Sequence, residues 1–349
     1  MSSQIKAIAL ISGGLDSMLA TKAILEQGVH VEGINFFTGF CVEGHTHAIR
    51  AKDKNKRKRN NALWVAEQLG IKLHIIDVVE EYKSVLINPK HGYGQHMNPC
   101  LDCKVFMVKK AFQWMQENNF DFIITGEVIG QRPMSQRKIT MPIVQKSSGA
   151  FDRLLRPLSA KNLPPTYPEQ QGWIDREKLF DFQGRSRKPQ MKLAEQYNIN
   201  EYAQPAGGCC FLTNEHYASK LKDLWQAREK RDYELDDIML LKIGRHIRPK
   251  PNFKLIIGRE EGENNFLSGY RKNFITLTTE NFTGPIVLVD GKLQDEEDLK
   301  LAASITARYS NGKEADLVTV KIISNKKNLP ETIQVTPIKE SIIPKDWYV

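Results

Sequence analysis

Two groups of residues in this 349-residue chain have types and spacings that do chemistry. The first is the run Ser12-Gly13-Gly14-Leu15-Asp16-Ser17. Paired glycines let a backbone approach an anion closely and present unshielded N–H groups. Ser12 and Ser17 add hydroxyl donors, and Asp16 adds a carboxylate able to hold a magnesium ion. No Gly-Lys-[Ser/Thr] follows, so the run is not a Walker loop. The second group is the five cysteines Cys41, Cys100, Cys103, Cys209 and Cys210. Asn98-Pro-Cys-Leu-Asp-Cys103 brings two sulfurs within reach of one metal, and Gly207-Gly-Cys-Cys-Phe211 supplies a third. An odd count behind a leaderless first strand argues against a disulfide framework and towards metal binding or catalysis. A structural zinc site wants two separated pairs, and the neighbours Cys209 and Cys210 rarely ligate one ion together. Buried core cysteines are a second reading. Three cysteine ligands on an iron–sulfur cluster, one iron left open, fit the count better.

Regular elements must hold these residues. Residues 5–11 read as a buried strand, 16–27 as a helix closed by Gly28, and 29–37 as a second strand. A helix over 61–69 ends at Gly70, a strand follows over 72–79, a helical stripe runs over 104–118, and 120–125 is again a strand closed by Gly126. Alternating strands and helices predict an α/β fold with a mostly parallel, doubly wound sheet, whose ligands sit beyond the carboxyl ends of the strands. The run 12–17 lies at such a place, where the next helix adds its N-terminal partial positive charge. Residues 155–200 read as loop-dominated, ending in a helix near 189–197, and 217–241 as one helix. Period-two strands then appear at 254–257, 274–278, 285–289, 317–322 and 332–336, broken by a helix over 296–309. These divide the chain into an α/β domain over 1–160 that carries the run 12–17, an extension over 161–240 carrying Cys209 and Cys210, and an α+β domain over 241–349.

Charged residues make up 26% and hydrophobic residues 41%, as in ordinary soluble globular proteins, and no run is long enough to span a bilayer. A cytoplasmic protein without membrane partners is the expectation. The net charge of +9 favours a polyanionic partner. Arg50, Lys52, Lys54, Lys56, Arg57, Lys58 and Arg59 crowd one segment, as a solvated loop or as a set of phosphate contacts along an RNA backbone.

The run 12–17 resembles the pyrophosphate loop of the PP-loop ATP pyrophosphatases, which cleave ATP between the α and β phosphates. That likeness implies that Ser12, Gly13, Gly14, Asp16 and Ser17 hold pyrophosphate with Mg²⁺, and that Phe36, at the end of the second strand, borders the adenine. Asn98-Pro-Cys-x-x-Cys103, Thr125-Gly126 and Gly-x-Cys-Phe211 resemble the tRNA 2-thiouridylases and, more loosely, the 4-thiouridine synthetases. Many of those have Asp where this chain has Cys100. The Cys-x-x-Cys form resembles cluster-dependent thiolases, which implies a 4Fe-4S cluster on Cys100, Cys103 and Cys210, with Cys209 a substitute for Cys210. Cys103 and Cys210 match the reactive pair of the Asp form, and Cys41 matches nothing, as a small apolar residue would. Glu127 to Gln136, Arg156-Pro-Leu-Ser159 and Gly184-Arg-Ser-Arg-Lys188 look like a subgroup of PP-loop tRNA thiolases. Gly244-Arg-His-Ile-Arg248 and Leu255 to Asn264 resemble the NFACT RNA-binding domain. The implied activity is ATP-dependent tRNA sulfur transfer, with Asp16, Cys103 and Cys210 catalytic and Gly126 bordering the nucleotide. Arg57, Lys58, Arg59, Arg132, Gln136 and Lys138 would contact RNA, and a cysteine desulfurase or inorganic sulfide would supply the sulfur. A cluster-free persulfide relay, a small-molecule synthetase and a non-catalytic ATP-sensing RNA-binding protein are the alternatives.

Overall fold

In the computed structural model, which describes residues 4–42, 60–203, 210–325 and 329–349, five apolar runs form a parallel sheet. They are β1 (Lys6–Leu10), β2 (His30–Phe37), β3 (Leu73–Asp77), β4 (Phe122–Ile124) and β5 (Leu154–Leu155), in the spatial order β3-β2-β1-β4-β5. The chain steps outward from β1 through β2 to β3, then returns to the other side of β1 with β4. The crevice between β1 and β4 is therefore the topological switch point, where such sheets bind ligands. On one face, α1 (Leu15–Leu25) and α2 (Asn61–Leu69) close a core with Ala7, Ala9, Phe122 and Ile124. The α2 ends are set locally: Asn60 Oδ1 accepts from Ala62 and Leu63 N–H, and Gly70 adopts φ 64° beyond its last turn.

The other face is covered by α4 (Cys100–Glu117) and α5 (Met141–Ser148), after a helix α3 (Val79–Ile87), with Ile8, Ile34, Phe36 and Ile123 beneath them. A short helix α6 (Tyr167–Gln170) and α7 (Lys188–Gln196) follow, and Leu193 and Ala194 of α7 join the α1 side. This confirms the α/β class. Two local expectations change: the strand expected over 72–79 ends at Asp77 and is followed by a helix over 79–87 that was not expected, and α4 begins at Cys100, before the apolar stripe. Pro99 sits at the N-cap, its carbonyl accepting the first helical bond from Cys103 N–H at 2.8 Å and its missing N–H costing the helix nothing.

Two compact units divide the described residues, the first running to Thr213 and the second from Asn214 to Val349, so that 161–213 lie in the first and 214–240 in the second. In the second unit the stretch expected as one helix breaks into α8 (Glu215–Ala227) and α9 (Leu235–Leu240). Glu229 takes φ 52°, and a reciprocal cap between Glu234 and Asp237 restarts the helix. A six-stranded sheet follows, built from β6 (Arg245–Lys250), β7 (Phe253–Ile257), β8 (Ile275–Thr279), β9 (Val287–Gly291), β10 (Val318–Ile323) and β11 (Thr332–Val335). Its order is β11-β10-β8-β9-β7-β6 and its pairs are antiparallel. A helix α10 (Glu261–Ser268) joins β7 to β8, and α11 (Glu296–Arg308) buries Leu299, Ala302 and Ala303 against the sheet. Strand β6 was not expected, because its basic residues hide the alternation. Arg248 Nε and Lys254 Nζ donate to Asp223 at 2.5 and 3.1 Å, which makes burial of Lys254 affordable. Among the described residues no helix is long and apolar enough to cross a membrane.

Gly126 follows β4 and lies on the first turn of α1. A Cβ there would sit 2.5 Å from Asp16 C and Ser17 N and 2.6 Å from Asp16 O, all backbone atoms. Gly126→Ala is expected to cost about 1–3 kcal/mol in chemical denaturation, the usual range for overpacking, and to speed amide exchange at Asp16 and Ser17. Wild-type exchange there would show that the two segments are not pressed together. In the second unit His246 is buried and its Nε2–H donates to the Ile243 carbonyl at 2.9 Å. Burial first, then the charges of Lys220 and Lys254, drive its imidazole well below the ordinary value. The unfolded chain therefore takes up the extra proton, and stability must fall as pH drops below about 6.5, with a slope of at most about 1.4 kcal/mol per pH unit. His246→Gln is expected to flatten that slope in denaturant titrations between about pH 6.5 and 5, where the unfolded imidazole protonates.

Candidate active site at the carboxyl edge of the parallel sheet

The run 12–17 turns between β1 and α1. Gly13 takes φ 79°, a left-handed value that suits glycine, and Gly14 caps α1. Ser17 Oγ donates to the Gly14 carbonyl at 2.8 Å, and Ser12 Oγ donates to Ser17 Oγ at 3.3 Å. The turn thus holds its own shape and leaves N–H groups at the helix start. Asp16 Oδ2 accepts from Gln131 Nε2 at 2.7 Å, and Gln131 Oε1 accepts from Gln190 Nε2 at 3.3 Å. Asp16 Oδ1 is buried with no hydrogen-bond partner among the described residues, as are Gln190 Oε1 and Arg187 Nε. A buried carboxylate oxygen left without a partner beside the turn 12–17 has the donor chemistry that a magnesium ion takes.

Neither Gln131 nor Gln190 stood out in the sequence, where each reads as an ordinary polar residue. They meet because Gly184 N–H donates to the Ile129 carbonyl at 2.7 Å, carrying the segment before α7 alongside the loop after β4. Gly130 N–H donates to the Gln136 carbonyl at 2.6 Å, closing that loop over Arg132 and leaving Gln136 buried. Arg132 and Lys138 are exposed. Phe36 is 6% exposed and packs with Ile34, Val78 and Leu101. Arg57, Lys58, Arg59 and Cys209 lie outside the described residues.

Beneath the loop, Glu127 and Arg156 form a buried pair, Arg156 Nε donating to Glu127 Oε2 at 3.0 Å and Thr125 Oγ1 donating at 2.9 Å. Lys104 Nζ, on α4, approaches Glu127 Oε1 at 3.9 Å. Burial pushes the Glu127 carboxyl up, but the charges of Lys104 and Arg156, with the Thr125 and Arg156 hydrogen bonds, outweigh it and hold the group below the usual carboxylate value. The strand end that presses on the turn 12–17 is thereby tied to the helix that starts with Cys100.

The cysteine segments meet at the same edge. Cys210 Sγ lies 4.0 Å from Asn98 Oδ1, and Met97 N–H donates to the Leu212 carbonyl at 3.2 Å. Cys100 and Cys103 occupy the first turn of α4, and Cys100 Sγ lies 3.4 Å from Ser135 Oγ. Gly14 is bridged to Ala203, so seven residue steps, at most about 25 Å of chain, separate the strand bridged to the turn 12–17 from Cys210. Cys41 does not sit as a small core residue: it is half-buried and opposes Cys210 in an antiparallel bridge. Among the described residues no three His, Cys, Asp or Glu gather closely enough to hold a metal ion. The donor types suit an iron–sulfur cluster, but the described thiols are not gathered as one would hold them.

Residues 5–148 match the tRNA methyl transferase HUP domain, and residues 244–348 match the NFACT protein RNA binding domain. The tRNA-specific 2-thiouridylase MnmA 2 of Clostridium botulinum is 31% identical over 143 residues, 40% of this chain and 38% of its own length. The tRNA-specific 2-thiouridylase MnmA of Christiangramia forsetii is 24% identical over 296 residues, 76% of this chain and 70% of its own. The solved complex of a 4-thiouridine synthetase with RNA and bound ATP covers 68% of this chain at 21% identity, with a TM-score of 0.37. The chain spans about a third of the length of the first of the curated relatives it matches. By its parallel sheet and these two domain matches the chain is similar to the tRNA 2-thiouridylases over a HUP domain, followed by a domain similar to the RNA binding domain of NFACT proteins.

Proposed function

We propose that this chain is an ATP-dependent tRNA sulfurtransferase that adenylates a base oxygen and replaces it with sulfur. The observation carrying the reading is the meeting of the 98–103 and 210–212 segments at the sheet edge that bears the turn 12–17. In this reading ATP lies across the β1–β4 crevice. A uracil-type oxygen attacks the α phosphorus, and pyrophosphate departs towards the N–H groups of Gly13, Gly14 and Ser17 and the start of α1. Asp16 would hold Mg²⁺, which supplies charge neutralisation on the leaving phosphates; Gln131 fixes the carboxylate's other oxygen. The product is a base–AMP ester. A sulfur nucleophile attacks the activated carbon and AMP leaves.

Cys103 and Cys210 are the proposed reactive thiols, Cys103 passing a persulfide sulfur to Cys210, which carries it to the base. A cluster on Cys100, Cys103 and Cys210 or Cys209 would be the other source of sulfur. Because the described thiols are not gathered into a ligand set, the proposed reaction runs through the cysteines themselves. The sulfur would come from a desulfurase-derived persulfide or an equivalent donor. The NFACT-type domain, the basic tract with Arg57, Lys58 and Arg59, and the exposed Arg132 and Lys138 would grip the tRNA backbone, with Gln136 shaping the loop between them.

Three outcomes follow from this reading. Labelled pyrophosphate should exchange into ATP in a tRNA-dependent manner, and Asp16→Asn should slow that exchange by about 100-fold. Exchange that ignores tRNA would point instead to a small-molecule substrate. Cys210→Ser should abolish thionucleoside formation, read by nucleoside mass spectrometry, while AMP release still depends on tRNA. Protein purified anaerobically should thiolate tRNA without bound iron, and activity that tracks about four irons and labile sulfides per chain would transfer the sulfur step to a cluster.

A further inference from the structure

Cys41 follows β2 and faces Cys210 in an isolated antiparallel bridge. Phe211 N–H donates to the Phe40 carbonyl at 2.9 Å, so the ladder bond flanks the two cysteines instead of joining them. That makes them a non-hydrogen-bonded cross-strand pair. At such a pair the opposing Cα atoms stand about 4.5 Å apart and the side chains leave on the same face. Disulfides span Cα separations of about 4.4–6.8 Å, so the two backbones are already at cross-linking distance. Cys41 Sγ is turned to Thr38 Oγ1 at 3.7 Å and Cys210 Sγ to Asn98 Oδ1 at 4.0 Å. Bringing the sulfurs together therefore takes side-chain rotation and no movement of the main chain. Both residues are half-buried, within reach of small thiol reagents.

We propose that Cys41 is the resolving thiol for Cys210, closing a Cys41–Cys210 disulfide as sulfur is delivered. This rests on the sulfur-transfer reading above. Cys210, charged by a persulfide donor, carries an outer sulfane sulfur. That sulfur attacks the adenylated base carbon, the new C–S bond forms, and the C–O bond breaks with its electron pair leaving on AMP. The base is then joined to Cys210 through two sulfurs. The Cys41 thiol gives its proton to solvent and its sulfur attacks Cys210 Sγ. The bond between Cys210 Sγ and the outer sulfur breaks, its electron pair remaining with the sulfur now on the base. The two cysteine sulfurs are oxidised by two electrons in all, and the sulfane sulfur is reduced by two. An external dithiol then returns the cysteine pair to thiols for the next cycle.

The pairing is tested in the full wild-type chain by brief oxidation with diamide, alkylation of remaining thiols and non-reducing peptide mapping. The expected product links the Cys41 and Cys210 peptides, with Cys100 and Cys103 alkylated. A link from Cys210 to Cys103, with Cys41 alkylated, would overturn the proposal. The role is tested in single turnover after loading with polysulfide. Cys41→Ser should form thiolated tRNA about tenfold more slowly than wild type without reductant, and dithiothreitol should restore it, which it would not do for a misfolded variant. A Cys41→Ser protein as fast as wild type without reductant would remove Cys41 from the reaction. A wild-type chain that forms the cross-link but thiolates no tRNA would uphold the cysteine pair and overturn the thiolase reading.

Discussion

The candidate site depends on one close approach: Gly126, at the end of β4, touches the Asp16–Ser17 peptide at the start of α1. Because β1 and β4 are neighbours reached from opposite directions, their carboxyl ends open a crevice, and here its two walls touch through a residue without a side chain. The Ser12–Ser17–Gly14 hydrogen bonds fix the shape of the turn 12–17 but not where it stands. Its position is thus set by the strand beside it. That strand is held from below by Glu127, whose carboxylate is buried with Arg156 and faces Lys104 on the helix that begins at Cys100. A buried pair of this kind seldom adds net stability, and removing either member would strand a charge. What it does supply is a fixed distance between the turn 12–17 and the cysteine-bearing helix.

Those facts divide what could be read in the residues from what could not. The hexapeptide 12–17 is legible because close approach to an anion demands glycines at fixed offsets, and the parallel sheet because its strands are short continuous apolar runs. The helix over 79–87 escapes such reading, since Asp77-Val-Val79 continues the apolar character of β3 past the turn where Asp77 Oδ1 accepts from Val79 N–H. Strand β6 escapes because Arg248 and Lys250 occupy it, and only Asp223 and Asp298, distant in sequence, explain their charges. The glycines of the Gly244 and Gly258 segment have the opposite character. A Cβ on Gly244 would meet the backbone oxygen of Ile257 at 2.5 Å, which cannot give way, whereas one on Gly258 would meet the Asn264 side chain, its Oδ1 at 2.1 Å.

Cys41 shows the same boundary at the site itself. Alone after β2, it carries no spacing signal, and a small apolar role is the natural reading. Its opposition to Cys210 arises from a bridge between segments far apart in the chain. Gln131 and Gln190 are equally silent in the sequence, because a side-chain amide acquires meaning only from what it faces. The motif cysteines are legible by contrast, since Cys100 and Cys103 lie one turn apart on one helix and local periodicity brings them together.

The polar chain running from Gln190 through Gln131 to Asp16 supplies a further argument about what the crevice is for. Each buried polar atom left without a partner costs roughly 1–3 kcal/mol relative to its solvated state. Asp16 Oδ1, Gln190 Oε1 and Arg187 Nε are all in that condition, and they belong to the anion-binding turn and to the segment packed beside it. A fold optimised only for its own stability would pair them or replace them with apolar groups. Their chemistry is complementary to a nucleotide: a carboxylate oxygen suits a cation riding on phosphates, a guanidinium N–H suits a phosphate oxygen, and an amide oxygen suits an exocyclic amino group. Binding would recover the desolvation cost already incurred in folding, which favours a ligand that supplies all three partners over one that supplies a phosphate alone.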